Sequence, residues 1–292
     1  MSSSNGVPLR EVVAILDHLY PRECAQSWDR VGLVTGDPGQ PVAHVHFAVD
    51  PTLSVIEEAR ALGADLLVTH HPLLLRGVHG VSTETGKGAA VTALIRADVA
   101  LFAAHTNADV AHGGVNDALV EALGLTGVGP LAIEEGRPMG RIGVLPHPMT
   151  LEGFAQHVAK VLPSAPVGVR VSGPARATVR RIAVLGGAGD SLLDAARGRG
   201  ADVFVTSDLR HHPASEAREE CRGGAPYLID AGHWATEWLW LAAAARQLVE
   251  GLGAAGAGLT VTVSEIVTDP WAFVVGSTGP ADLPDAVTEA GS

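Results

Sequence analysis

The chain has 292 residues, enough for one large or two medium domains with a proper hydrophobic core. Apolar residues make up 47% and charged residues 18%, and the formal net charge is −12. That acidic balance argues against general binding to nucleic acid or to an anionic membrane surface, where phosphates demand a basic field. It leaves room for a small phosphorylated ligand beside metal ions, which reverse the local sign. The two cysteines, Cys24 and Cys221, form no CxxC pair, so a zinc ribbon or redox motif has no support. No run of about 18 apolar residues marks a membrane span. The start of the chain is Ser-rich and lacks the regions of a signal peptide, so residues 1–7 are expected to be disordered and the protein cytoplasmic.

From the start, Leu9, Val12, Val13, Leu16 and Leu19 recur at helical spacing between Pro8 and Pro21. A loop with turn residues Gly32, Gly36, Asp37 and Pro38 follows. A strand is expected over 42–49, a helix over 51–62 ending at Gly63, and a short apolar strand over 65–69, which together make a βαβ unit. Further elements are a helix at 88–97, a strand at 99–103 and a helix at 115–123. The stretch 126–180, rich in Gly and Pro, reads as a connecting segment with one helix near 151–161 and short strands. After it the alternation resumes with strands at RRIAVL, ADVFVT and APYLIDA, helices at 190–199 and 212–221, a long helix near 234–250 and a strand LTVTVSEIV.

The segment Gly63-Ala64-Asp65-Leu66-Leu67-Val68-Thr69 is echoed by Gly200-Ala201-Asp202-Val203-Phe204-Val205-Thr206. The expected fold class is therefore α/β, with two pseudo-related lobes, 8–125 and 181–278, and a loose tail over 279–292. Each lobe would present polar residues at the C-terminal ends of its strands, where open α/β sheets place ligand sites. The polar clusters fall there: Thr69-His70-His71-Pro72, His105 to Asp109, Asp208 with His211-His212, and Asp230 to Glu237.

Adjacent His70 and His71 point in opposite directions on an extended backbone, so two metals could take one each. His233 and Glu237, four apart, share one helix face, and Glu237 could bridge. Asp109 adds an oxygen from another strand end. These five would bind two divalent ions and leave coordination positions open. Taken singly, each pair has a plainer reading, as a turn or a surface helix pair; the joint placement favours metal. His18, His44, His46, His79, His147 and His157 fall off the pattern. Gly186-Gly187-Ala188-Gly189-Asp190 is either a tight strand-to-helix turn or a phosphate cradle. Trp28 and Trp271 either line a pocket or cover core edges.

Several segments in order resemble the signatures of one family: Ser27-Trp28-Asp29-Arg30-Val31-Gly32-Leu33, Thr69-His70-His71-Pro72-Leu73, His105-Thr106-Asn107-Ala108-Asp109-Val110, Gly113-Gly114-Val115-Asn116-Asp117, and Asp230-Ala231-Gly232-His233-Trp234-Ala235-Thr236-Glu237. The chain is similar to the NIF-three-like dinuclear-metal hexameric proteins, often labelled GTP cyclohydrolase type 2 homologues. The resemblance implies a homo-hexameric ring and a metal pair facing an internal cavity. It implies that His70 and His71 bind different metals, that Asp109 and His233 bind one each, and that Glu237 bridges. A compact form without the large insert of some relatives is expected. In the second lobe the family's Gly-Asp and Tyr-His become Ser207-Asp208 and His211-His212.

The function expected is hydrolysis of a nucleotide-like or phosphorylated small molecule by metal-activated water, with Asp208 or His212 passing a proton to the leaving group. The alternative is a non-catalytic metal-binding scaffold. Imidazole and carboxylate ligands suit zinc, iron, manganese, cobalt or nickel.

Overall fold

A computed structural model describes residues 6–276. The chain opens with β1 (Val7–Pro8) and α1 (Leu9–Leu19), whose Leu9, Val12 and Leu16 face inward as their spacing predicts. Val7 is not disordered as expected; it is buried and pairs with Val42 of β3 (Pro41–Val42). Residues 1–5 and the expected tail at 279–292 lie outside the described residues.

The first sheet contains β2 (Gly32–Thr35), β4 (His44–Ala48), β5 (Leu66–Thr69) and β6 (Ala100–Ala103). Two crossover helices join its parallel strands: α2 (Leu53–Leu62) after β4 and α3 (Gly86–Ala97) after β5. The Thr52 side chain caps α2 by accepting from the Val55 N–H, and Gly63 closes it in the left-handed conformation. Beyond β6 come the short α4 (Thr106–Val110) and α5 (Val115–Ala122).

The stretch 126–180 is not a set of short connecting strands. It forms a long hairpin of β7 (Thr126–Glu134) and β8 (Arg137–Thr150), then α6 (Leu151–Val161) and β9 (Arg170–Ser172). Glu135 and Gly136 both take positive φ, 47° and 78°, the two-residue turn whose twist suits a hairpin. β8 then pairs antiparallel with β10 (Thr178–Ala188), so this stretch builds half of the second sheet. That sheet continues through β11 (Val203–Ser207) and β12 (Tyr227–Ala231), with α7 (Leu193–Gly198) and α8 (His211–Glu220) as crossovers, in the order β7-β8-β10-β11-β12-β9.

The echoed segments have the same local structure. Gly63 and Gly200 both adopt left-handed φ, 67° and 64°. Asp65 accepts from the backbone N–H groups of Ala43 and His44, and Asp202 from those of Arg180 and Arg181. Each carboxylate pins the start of the preceding parallel strand.

The long α9 (His233–Leu252) packs on both sheets. One continuous core joins Phe47, Leu66 and Phe102 of the first sheet, Val184, Val205 and Ile229 of the second, and Trp240 of α9. The fully buried Trp240 meets Tyr20 edge to face at 5.3 Å and donates to its hydroxyl. After α9, β13 (Thr260–Val263) pairs parallel with β4, giving the first sheet the order β13-β4-β5-β6-β2. The segment 181–278 therefore does not lie wholly in the second lobe; its last strand crosses to the first. Among the described residues no helix is long and apolar enough to cross a membrane.

Candidate metal centre

Parallel strands deliver their C-terminal ends to one edge, and the two sheets turn these edges toward a common cluster. His70 and His71 leave β5, with His70 fully buried. His105 and Asp109 follow β6; His233 and Glu237 occupy the first turn of α9, beyond β12. All five residues expected as metal ligands come together. Glu237 Oε1 lies 3.4 Å from His70 Nε2 and 2.9 Å from His233 Nε2, and its Oε2 lies 3.1 Å from His71 Nε2. Asp109 Oδ1 is 3.7 Å from His70 Nε2.

Each imidazole is held from behind. His70 Nδ1 donates to the Ala104 carbonyl at 2.9 Å. His71 Nδ1 donates to Asp50 at 2.7 Å, His105 Nδ1 to Asp29 at 3.0 Å and His233 Nδ1 to Asp208 at 2.7 Å. A proton fixed on Nδ1 leaves Nε2 of the neutral ring as a lone pair aimed into the cluster, the arrangement that metal-binding histidines share. Asp208, expected to pass a proton, accepts from His233 Nδ1 at 2.7 Å and so orients that ring. Hydrogen bonding from His233 lowers its pKa against the effect of burial. His212 is exposed at the start of α8, ring against ring with His211.

The electrostatics are those of buried carboxylates crowded against imidazoles. His70 Nε2, Asp109 Oδ1 and Glu237 Oε2 are buried with no hydrogen-bond partner. Burial alone would raise Glu237, but His71, His70 and His233 hold it well below the usual carboxylate range. Burial raises Asp109, and the pull of His70 and His105 does not offset it. Against burial, Glu237 and Asp50 push His71 up to about 10, and Glu237 and Asp208 push His233 up to about 11. A divalent cation satisfies such a donor set, and the residues present fit one. Ligand atoms of His70, His71 and His105 lie within 4.8 Å of one another, as do those of His71, His233 and Glu237.

His105 was not among the expected ligands, although its strand-end position carried the signal. Asp29 and Asp50 were likewise unassigned. Asp50 follows β4 as His70 follows β5, so the same strand-end rule reaches it. Gly187 lies at the end of β10 with φ +71°; a Cβ there would sit 2.4 Å from Glu237 Oε1 and 3.1 Å from His233 Nε2. The glycine run thus clears space for the cluster, and Gly189 then leads into the 3₁₀ turn before α7. No phosphate cradle is needed to explain it. Trp28 is half exposed and stands edge-on to His105 at 5.8 Å, whereas Trp271 is mostly exposed.

Fold and site define a mixed α/β protein of two main sheets whose facing edges carry a histidine and carboxylate cluster able to hold metal. The model of the Duf34/NIF3 (NGG1p interacting factor 3) family matches residues 7–270, and the chain belongs to that family. It is 51% identical to a Streptomyces coelicolor protein called "GTP cyclohydrolase 1 type 2 homolog", covering 92% of this chain and 95% of that one. A Mycobacterium tuberculosis protein of the same name is 34% identical, covering 91% and 97%. That alignment runs over 375 positions, more than this chain's 292 residues, so the mycobacterial relative carries a segment absent here. Among solved structures, a Bacillus cereus protein related to NIF3 superposes with TM-score 0.82 at 28% identity, over 91% of this chain and 99% of that one.

Proposed function

We propose that this chain is a dinuclear metal-dependent hydrolase acting on a nucleotide-like or phosphorylated small molecule. The observation that carries the reading is the set of buried, unpartnered atoms His70 Nε2, Asp109 Oδ1 and Glu237 Oε2. His70, His71, Asp109, His233 and Glu237 would hold two divalent ions, with His105 within reach of the same cluster. Zinc, iron, manganese, cobalt and nickel all suit imidazole and carboxylate donors. Such ions supply Lewis acidity and an activated water. The chain's own part is to orient the donors. Asp50, Asp29, Asp208 and the Ala104 carbonyl hold the four Nδ1 protons outward, so that every Nε2 faces the cluster. His212 is the side chain proposed to hand a proton to the leaving group. The name shared by the relatives suggests ring opening of a purine nucleotide as a narrower version. A homo-hexamer is proposed with it.

The test begins with elemental analysis of protein purified without an affinity tag. Turnover of a panel of nucleotides and phosphoesters is then compared with that of a His70→Ala, Glu237→Ala double variant. Two ions per chain and turnover lost in the variant are expected. Equal rates in both proteins would overturn the catalytic reading.

A second reading has its own support. The cluster draws donors from the first sheet and from α9, which also packs on the second sheet, so metal there would tie the halves together as a non-catalytic scaffold. A chain that loses thermal stability on chelation and turns over nothing in the panel would favour it.

A further inference from the structure

The parallel pairing of β13 with β4 sends both strands out at the edge where His70 and His71 lie. Over residues 264–276, the described residues past Val263, the chain has no regular structure, yet it is firmly tied at its start. Ser264 is buried; its N–H donates to the Phe47 carbonyl at 2.8 Å and its hydroxyl to Glu58 at 2.5 Å. The Trp238 indole N–H of α9 donates to the Ser264 carbonyl at 2.8 Å. The segment then reaches Thr268, whose hydroxyl donates to Asp50 Oδ2. The other oxygen of that carboxylate, Oδ1, accepts from His71 Nδ1 at 2.7 Å. The links Thr268, Asp50 and His71 follow the strand order β13, β4, β5 across the sheet edge.

A carboxylate rotates about its last torsion unless both oxygens are held. The same device occurs once more in the cluster. Asp29 gives Oδ1 to His105 Nδ1, and its Oδ2 accepts from the Thr106 hydroxyl and the Thr106 N–H. Asp208 holds His233 through Oδ2 with no threonine behind it among the described residues.

We propose that Thr268 is a positioning residue: residues 264–268 form a strap through which the C-terminal strand fixes Asp50 and thereby the aim of the His71 ring. The part of this concerning metal rests on the functional reading above; the part concerning the ring does not.

The test uses the full chain, zinc as the probe, and the variants Thr268→Val and Thr268→Ser. Zinc affinity is read by competition with a chromophoric chelator. In the metal-free protein, the hydrogen-bonded His71 Nδ1–H is read by nitrogen-15 NMR, with His105 as internal reference. Thr268→Val is expected to bind its weaker zinc about 10-fold less tightly, the lower end of the effect of losing an outer partner. It should also lose the His71 Nδ1–H signal while keeping that of His105. Thr268→Ser should match the wild type in both. Wild-type affinity and an intact His71 signal in Thr268→Val would overturn the proposal. So would equal losses in the two variants, which would mark a packing role. If the wild type binds neither zinc nor any of the other four candidate metals, the metal reading fails, and the His71 signal alone decides the strap.

Discussion

At the scale of single residues, the centre is defined as much by what is missing as by what is present. Gly187 illustrates this. It combines a left-handed backbone with a Cβ position 2.4 Å from Glu237 Oε1, whereas Gly63 has a similar φ and open space around it. Both Gly→Ala changes incur the left-handed backbone cost of about 1–2 kcal/mol, which denaturant unfolding should show for each. Only Gly187→Ala should also displace Glu237 and lower the bound metal, and elemental analysis of the two variants separates the effects. Equal metal content in both would contradict the steric role given to Gly187. Glu237 itself faces three imidazoles with both its oxygens, so, on the proposed two-ion reading, Glu237→Gln should reduce binding from two ions to one or none. A variant that retains two ions by elemental analysis would remove Glu237 from the ligand set. His70, His71, Asp109, His233 and Glu237 were legible because strand ends and a four-residue helical spacing leave a pattern in sequence. Asp50 shares the strand-end signal, but Asp29 lies in a loop, and which carboxylate meets which Nδ1 follows from tertiary placement and has no periodicity.

At the scale of elements, the echo between the two lobes is a shared hydrogen-bond scheme as well as a shared sequence. Asp65 Oδ2 accepts from two N–H groups at 2.7 and 2.9 Å, and Asp202 Oδ2 from two at 2.8 Å each. Bonds to a charged acceptor contribute about 1.5–3 kcal/mol each where shielded, and less at these exposed sites. Asp65→Ala and Asp202→Ala should therefore each destabilise the chain by about 1–2 kcal/mol, by similar amounts. Denaturant midpoints measure this, and a large loss in one variant with none in the other would show that the two motifs are not equivalent. The echo was visible in sequence because Gly, Ala and Asp have fixed jobs there. The β7–β8 hairpin was hidden because its glycines and prolines look like loop. Its signal was Glu135-Gly136, a pair able to take positive φ at both positions.

At the scale of the molecule, the division into lobes hides how they are joined. Periodicity marks LTVTVSEIV as a strand but says nothing about its partner, and only Thr260–Val263 pairs, with β4 rather than with the second sheet. β13 and α9 thus tie the last described strand back to the first sheet, and the cluster sits where those ties meet. Anything that binds the folded cluster and not the unfolded chain must stabilise the whole. At a free metal concentration one hundred times Kd that gain is about 2.7 kcal/mol. For a chain of this size it corresponds to roughly 4–5 °C in Tm. Metal-loaded protein treated with a chelator should lose that margin, and restoring zinc should return it. His70→Ala, Glu237→Ala protein should melt at one temperature under all three conditions, since it has no centre to fill. A chelator-induced fall in the double variant equal to that in the wild type would place the stabilising ion elsewhere in the molecule.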